Sequence, residues 1–380
     1  MKLDNLLKTF RKDIGSTTVA DSDLANIKTF YDTGSFALNR VITGDIHRGI
    51  PSGRITQIFG ESQTGKSLIA IQTAVLALNK GEIDVIFYID SEGGGLQMFE
   101  NFGADLTKIE YIPVHSIEDC SVKLLKLYDT FMEAKNQYIA DPEKNDDIRA
   151  IVILDSWGGL SADKLINDAV KKDAQVQDMG LGAKLKNNLM SGLMMRVVQT
   201  GVSLIIVNHT YDNPGAMFTS KIKPMPGGKK LEYACHVIIQ ATKLLIKPNN
   251  AEYLTSEGDV GNYYAGNRMN FFTVKNRIAK PCFSADVYID FENGLAKYDG
   301  LIDDATTYGF IEKVHGGYKV PSYSDKRIFF KELVTSDEIW NTFIDKFNEM
   351  SIERMKFSKS IVDSIKESEA AISELVDESI

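Results

Sequence analysis

A glycine-rich octapeptide, GESQTGKS (60–67), lies between an apolar segment that favours a strand and one that favours a helix. Its spacing, G-x-x-x-x-G-K-[ST], lets successive backbone N–H groups face one point, and the helix start adds unpaired donors. A turn that matches by accident is the alternative, which the flanking strand and helix disfavour. We predict that the loop binds a nucleoside triphosphate through Gly60, Glu61, Ser62, Gln63, Thr64, Gly65, Lys66, Ser67 and Leu68. Lys66 would reach the β- and γ-phosphates, and the Ser67 hydroxyl would ligate Mg²⁺ directly.

Two further apolar segments end in acidic residues. The segment AIVILDS ends at Asp155, which would hold Mg²⁺ through a water molecule. The segment VIFYIDSE ends at Asp90 and Glu92, and open parallel sheets bind ligands where their strands end. Glu92 could polarise the water that attacks the γ-phosphate. The structural alternative for Glu92 is an acid that caps a helix.

The elements that must position these residues alternate along the chain. The pattern predicts strands near 55–59, 84–90, 109–114, 150–155 and 203–208, and helices near 66–80, 96–102, 117–137 and 181–200. This βαβ rhythm indicates an α/β fold whose sheet is mainly parallel and covered by helices on both faces. Three later strands, near 236–246, 270–276 and 285–291, are closely spaced and look antiparallel.

Composition limits the class of protein. The 380 residues carry a net charge of −9, and 43% are apolar, which suffices for a large core. No segment approaches the ~20 apolar residues that span a bilayer, and the N-terminus lacks a signal-peptide core. Cys120, Cys235 and Cys282 are widely separated without metal-site spacing, so we expect buried thiols in a reducing compartment. We therefore expect a soluble, cytoplasmic protein.

The sequence suggests four regions. Residues 1–30 contain an amphipathic helix, Leu3 to Ile14, that could fold back on its own core or dock onto a neighbouring subunit as an oligomerisation arm. We expect residues 31–298 to form the ATPase core with its nucleic-acid-binding loops, 299–350 a small αβ domain, and 351–380 an acidic tail that is mobile or helical. The last fourteen residues hold five acids and no base, whereas 219–247 hold six lysines and one acid. Local patches of this kind decide where a nucleic acid can bind.

The order of these motifs resembles that of the RecA-type recombinases. The phosphate loop, IDSE and ILDS are followed by IIVNHTYDNPGAMFTSK and then by two glycines. The NHTY…MF…GG segment is most similar to the phage branch of the family, the UvsX type. The resemblance runs from about residue 33 to about 320. It implies a RecA-like core that uses ATP and Mg²⁺, with Glu92 as the catalytic base and His209 as the γ-phosphate sensor.

The resemblance also implies contacts to the adenine base and to DNA. An aromatic ring seven residues after the catalytic base, Phe99, would stack on the adenine; the spacing leaves Met98 as an alternative. Two segments, 171–186 and 211–228, would bind DNA. Their lysines suit phosphates and their apolar side chains suit insertion between bases, although a solvated surface loop is the alternative. The predicted DNA contacts are Met179, Lys184, Tyr211, Met217, Phe218, Lys221, Lys223, Gly227 and Gly228.

A basic pair completes the predicted site. Lys275 and Arg277 occupy alternate positions of the segment FFTVKNRIAKP and therefore one face of a strand. In RecA-type filaments this motif reaches the γ-phosphate of the neighbouring subunit; the alternative is a solvated strand face.

These motifs predict an ATP-dependent recombinase that forms filaments on single-stranded DNA and pairs it with homologous duplex. A recombination mediator and a single-strand-binding protein are further expected partners. The alternatives are a helicase motor or a regulatory ATPase scaffold built on the same core.

Overall fold

A computed structural model of the chain describes residues 3–22, 24–170, 180–210, 222–225, 228–244, 266–290 and 294–357. Within these ranges the α-helices are α1 (Leu3–Ile14), α2 (Phe36–Thr43), α3 (Lys66–Asn79), α4 (Leu96–Asn101), α5 (Ile117–Ala140), α6 (Asp163–Val170), α7 (Leu181–Thr200), α8 (Gly228–Ala234), α9 (Ile302–Thr307), α10 (Phe330–Thr335), α11 (Asp337–Asn341) and α12 (Ile344–Met355).

The strands of the described residues form one large sheet and two small ones. They are β1 (Phe30–Tyr31), β2 (Ile50–Pro51), β3 (Ile55–Gly60), β4 (Val85–Asp90), β5 (Ile109–Pro113), β6 (Ala150–Asp155), β7 (Ser203–His209), β8 (Val237–Lys243), β9 (Gly266–Asn276), β10 (Ser284–Asp290), β11 (Gly294–Leu295), β12 (Glu312–Val314), β13 (Gly317–Val320) and β14 (Ser324–Ile328). The nine-stranded sheet has the order β11-β10-β9-β8-β3-β7-β6-β4-β5. The six strands from β8 to β5 run parallel, and β9, β10 and β11 add antiparallel pairs.

Alternating side chains explain why helices cover both faces of this sheet. In β6, Ile151 and Ile153 enter the cluster that contains α2 and α3, whereas Val152 and Leu154 enter the cluster that contains α5 and α7. Successive residues of a strand point to opposite faces, so a strand buried on both faces must be apolar throughout. The predicted α/β class with a mainly parallel sheet is confirmed.

The N-terminal helix and the C-terminal region can be compared with the predicted division into domains. None of the residues of α1 is buried, and Leu3 and Ile14 are 67% and 73% exposed, so this helix does not pack on the core of its own chain. The small sheet β12-β13-β14 and helices α9 to α12 follow the core. Helix α12 continues past residue 350, which is the predicted boundary between the small αβ domain and the acidic tail. The structure describes the tail only as far as residue 357.

The described helices contain none that combines the length and the apolar character needed to cross a membrane.

Candidate nucleotide site and its link to the DNA segments

The register of the parallel strands brings the predicted catalytic residues to one edge of the sheet. Gly60, the last residue of β3, pairs with His209 at the end of β7. Asp90, the last residue of β4, pairs with Asp155 at the end of β6. Parallel strands end at the same edge, where this fold class binds ligands. Residues far apart in the sequence therefore meet around the phosphate loop.

Two glycines of the phosphate loop cannot be replaced without strain. A Cβ atom on Gly60 would lie 2.2 Å from the carbonyl oxygen of Ala241 on the neighbouring strand. Gly65 has a φ of 77°, in the left-handed region, and its Cβ would lie 2.4 Å from Cδ1 of Ile289. Only glycine combines this backbone conformation with so close an approach. The loop thus turns directly from β3 into α3, where Lys66 begins the helix.

Three polar side chains lie beside the phosphate loop: Lys66, Ser67 and Asp155. Lys66 is 6% exposed, and its Nζ donates a hydrogen bond of 2.5 Å to the carbonyl oxygen of Glu61. Burial lowers the pKa of Lys66, although the charges of Asp155 and Glu92 oppose this effect. Burial also raises the pKa of Asp155, against a hydrogen bond with the Ser67 side chain. A hydroxyl beside a buried carboxylate provides the hard oxygen ligands that Mg²⁺ prefers, so these residues fit the ion.

Glu92, Ser156 and His209 are mutually hydrogen bonded. The Ser156 hydroxyl donates to Oε1 of Glu92 at 2.6 Å, and Nε2 of His209 lies 2.7 Å from the same oxygen and 3.0 Å from Ser156 Oγ. Partial burial opposes ionisation of Glu92, but the bonds from Ser156 and His209 outweigh it and hold its pKa below the ordinary value. An ionised carboxylate that remains half exposed can accept a proton from water. The structure thus unites the predicted base with the predicted sensor.

Sequence reasoning assigned no role to the residues that hold this group in place. Oxygens of the Asp90 carboxylate accept the backbone N–H groups of Glu92, Gly93 and Gly94 at 2.7 to 2.9 Å, which shapes the turn that carries Glu92. The Ser91 hydroxyl donates to the carbonyl of Ser156 at 3.1 Å and accepts its N–H at 3.0 Å. The signal was present, because both serines directly follow the two strand-ending aspartates.

The expected aromatic contact with adenine requires a correction. Phe99 is 1% exposed, and its ring packs edge-on against Tyr88 with centroids 5.2 Å apart. A ring buried in this way offers no free face to a base, in contrast to the stacking on adenine that the resemblance implied. Met98, the alternative, is half-buried at the edge of the same cluster. The adenine contact is therefore not assigned to Phe99 in this arrangement.

The predicted DNA contacts are only partly within the described residues. Met179, Tyr211, Met217, Phe218, Lys221 and Gly227 lie outside them. Lys184 is exposed in the first turn of α7, and Gly228 begins α8. Lys223 was expected to contact DNA phosphates; in this structure its Nζ pairs with the carboxylate of Glu61 in the phosphate loop.

The basic pair contacts the end of a helix in its own chain. Lys275 lies in β9, and Arg277 follows the end of that strand instead of lying within it. Lys275 Nζ donates to the carbonyl oxygens of Glu232 and Tyr233 at 2.5 and 3.1 Å, and Arg277 donates to that of Tyr233 at 3.2 Å. Cations favour helix C-termini, which carry unpaired carbonyls. Both side chains nevertheless face the same way, as the alternation predicted.

Comparison with known proteins agrees with this geometry. A family model described as the RecA N-terminal domain matches residues 1–296. Protein RecA of Aquifex aeolicus is 28% identical over 308 residues, which cover 78% of this chain and 74% of that protein. Protein RecA of Lactobacillus acidophilus is 26% identical over 333 residues, covering 86% and 80%. Together with the parallel sheet and the phosphate loop at its edge, the match over most of the chain shows that this protein has the RecA-like fold and belongs to the RecA family.

Proposed function

We propose that this protein is an ATP-dependent recombinase that forms filaments on single-stranded DNA and catalyses homologous pairing and strand exchange. RecA-family proteins are DNA-dependent ATPases, which supports ATP hydrolysis coupled to DNA binding in this chain. One observation supports the coupling: His209 contacts Glu92 and also ends β7, two residues before the segment assigned to DNA begins. A change at the γ-phosphate would therefore reach that segment through a single side chain.

We propose the following roles for the residues of the site. The backbone of 60–68 and the Lys66 ammonium would hold the phosphates, with Ser67 ligating Mg²⁺ and Asp155 holding it through water. When bound, Mg²⁺ neutralises phosphate charge and orients the γ-phosphoryl group. Glu92 would remove a proton from the attacking water, while Ser156 and His209 fix its carboxylate. Lys275 and Arg277 would serve the nucleotide of the neighbouring subunit, which the exposed arm α1 would help to hold.

We further assign the chain to the phage branch of the family, from its NHTY…MF…GG segment. In that assignment the protein works in the host cytoplasm, in DNA recombination, repair and recombination-dependent replication. A recombination mediator and a single-strand-binding protein would then assist its loading on single-stranded DNA.

Electron microscopy with ATP and single-stranded DNA tests the proposal directly. Helical filaments are expected, whereas closed rings would indicate a helicase motor and the absence of assemblies would indicate a regulatory scaffold. The same sample should transfer a labelled strand from a homologous duplex and leave a duplex of unrelated sequence intact. Filaments without homology-dependent transfer would overturn the assignment of strand exchange while leaving DNA binding intact.

A further inference from the structure

Glu61 of the phosphate loop contacts one lysine through its backbone carbonyl and another through its side-chain carboxylate. Its backbone carbonyl oxygen accepts the Nζ of Lys66 at 2.5 Å and the hydroxyl of Thr64 at 2.9 Å. Its side-chain carboxylate pairs with the Nζ of Lys223. Lys66 belongs to the nucleotide site, and Lys223 belongs to the segment assigned to DNA. One residue therefore joins the two sites.

The residues around Lys223 are attached to the strands beside the phosphate loop. The backbone N–H of Lys223 donates to Oε1 of Gln240 on β8 at 2.8 Å. Gln57 on β3 donates to the sulfur of Met225 at 3.3 Å. Gln240 pairs with Phe59, the residue directly before Gly60, so both anchors lie close to the turn that carries Glu61. The backbone of 222–225 is thus fixed, and the Lys223 side chain is the part that is free to change partner.

We propose that Glu61 is a positioning residue that couples nucleotide binding to DNA binding by holding or releasing Lys223. The proposal rests on the proposed function. To reach a phosphate, Lys66 must leave the carbonyl oxygen of Glu61, which changes the hydrogen bonding of that peptide. When the ion pair is intact, the charge of Lys223 is neutralised by Glu61. When the peptide of Glu61 shifts, the pair loosens and Lys223 becomes available to a DNA phosphate.

The exposure of the pair fits a contact that exchanges partners. The side chains of Glu61 and Lys223 are 48% and 33% exposed, and ion pairs that remain so accessible to water contribute little to stability. Substitutions at either position should therefore leave the fold intact, which a thermal melt verifies. Their effect on binding should be larger, because each phosphate contact to a single strand adds about 0.7 to the slope of log affinity against log salt.

Two single substitutions test the proposal from opposite directions. The measurement is the affinity for fluorescein-labelled oligothymidylate, by anisotropy, without nucleotide and with a saturating non-hydrolysable ATP analogue. Glu61→Gln should tighten binding without nucleotide, since Lys223 is released permanently. Lys223→Gln should weaken binding with nucleotide and change it little without. The coupling is measured as the ratio of the DNA affinity with the ATP analogue to the DNA affinity without nucleotide. Both variants should reduce this ratio at least about fivefold, a typical size for coupling between sites.

Salt dependence and a matched lysine provide the controls. The salt slope should rise by about 0.7 for Glu61→Gln without nucleotide and fall by about 0.7 for Lys223→Gln with nucleotide. Lys229→Gln removes the same charge from the exposed start of α8, so it should weaken binding equally in both states and preserve the ratio. A wild-type ratio near one would overturn the proposed function together with this inference. A normal wild-type ratio that survives Glu61→Gln would overturn the inference alone.

Discussion

Nε2 of His209 lies 2.7 Å from Oε1 of Glu92, although 117 residues separate them in the sequence. The contact exists because β4 and β7 end at the same edge of the sheet, with β6 between them. It joins the proposed catalytic base to a residue that lies two positions before the segment proposed to bind DNA.

Replacing Glu92 by glutamine should separate nucleotide binding from hydrolysis. The amide keeps the size of the side chain but cannot accept a proton from water, so turnover should fall at least about 100-fold. ATP binding, measured by titration, should persist, and DNA complexes should become long-lived. Glu100→Gln, on the exposed face of α4, is the matched control and should keep normal turnover. Loss of nucleotide binding by Glu92→Gln would instead identify a structural acid.

Replacing Ser156 by alanine should move the acidic limb of the pH–kcat profile to higher pH. The Ser156 hydroxyl stabilises the ionised carboxylate and helps to lower the pKa of Glu92, so its removal raises that pKa. Glu92 then becomes protonated earlier as the pH falls. The same sign applies to stability: the contribution is present above the ordinary carboxyl pKa and disappears as pH falls through the lowered one. The control is Ser121→Ala, which changes a helical serine in α5 and should leave the pH–kcat profile unchanged. If the acidic limb of the profile does not move in Ser156→Ala, Ser156 does not lower the pKa of Glu92 in this way.

Replacing Gly65 by alanine should cost more stability than the same change at Gly81. Both glycines have a positive φ, 77° and 68°, which costs an alanine about 1–2 kcal/mol. Gly81 has open space around its Cβ position, whereas Gly65 would also strike Ile289. Urea unfolding should therefore show a larger loss for Gly65→Ala, and adding Ile289→Val should recover part of it by removing Cδ1. Equal losses at both glycines would show that the contact with Ile289 relaxes freely.

Replacing Lys275 or Arg277 by alanine should remove most DNA-stimulated turnover while ATP binding remains nearly normal. If these residues act on the neighbour's nucleotide, mixing either variant with Glu92→Gln protomers should recover some activity. Some junctions then pair an intact Glu92 with intact basic residues from the adjacent subunit. The contacts with the carbonyls at the end of α8 offer a second role. A lower melting temperature without recovery in proven mixed filaments would favour that local role.

The elements and the chemistry-bearing motifs could be predicted from local patterns. Strand 150–155 and helix 181–200 were predicted with the bounds that the structure gives, because apolar runs and their flanking residues specify them locally. The mainly parallel sheet followed from the alternation of strands and helices. Helix α8 was not predicted, and the predicted loop extends to Gly228, its first residue.

The partners of individual side chains could not be predicted in the same way. The pairing of Lys223 with Glu61 brings together two residues that are 162 positions apart in the sequence, which no local pattern encodes. The resemblance to the family implied a DNA contact for this lysine, whereas the fold places the carboxylate of Glu61 beside it. The burial of Phe99 has the same origin, because residue spacing locates a ring along a helix but does not say which neighbour covers it.

The position of β3 between β7 and β8 has a mechanical consequence. The segment 211–228 starts just after β7 and leads through α8 into β8, so its two ends are fixed to the strands on either side of the phosphate loop. A displacement of the phosphate loop would therefore act on both attachment points of the segment at the same time.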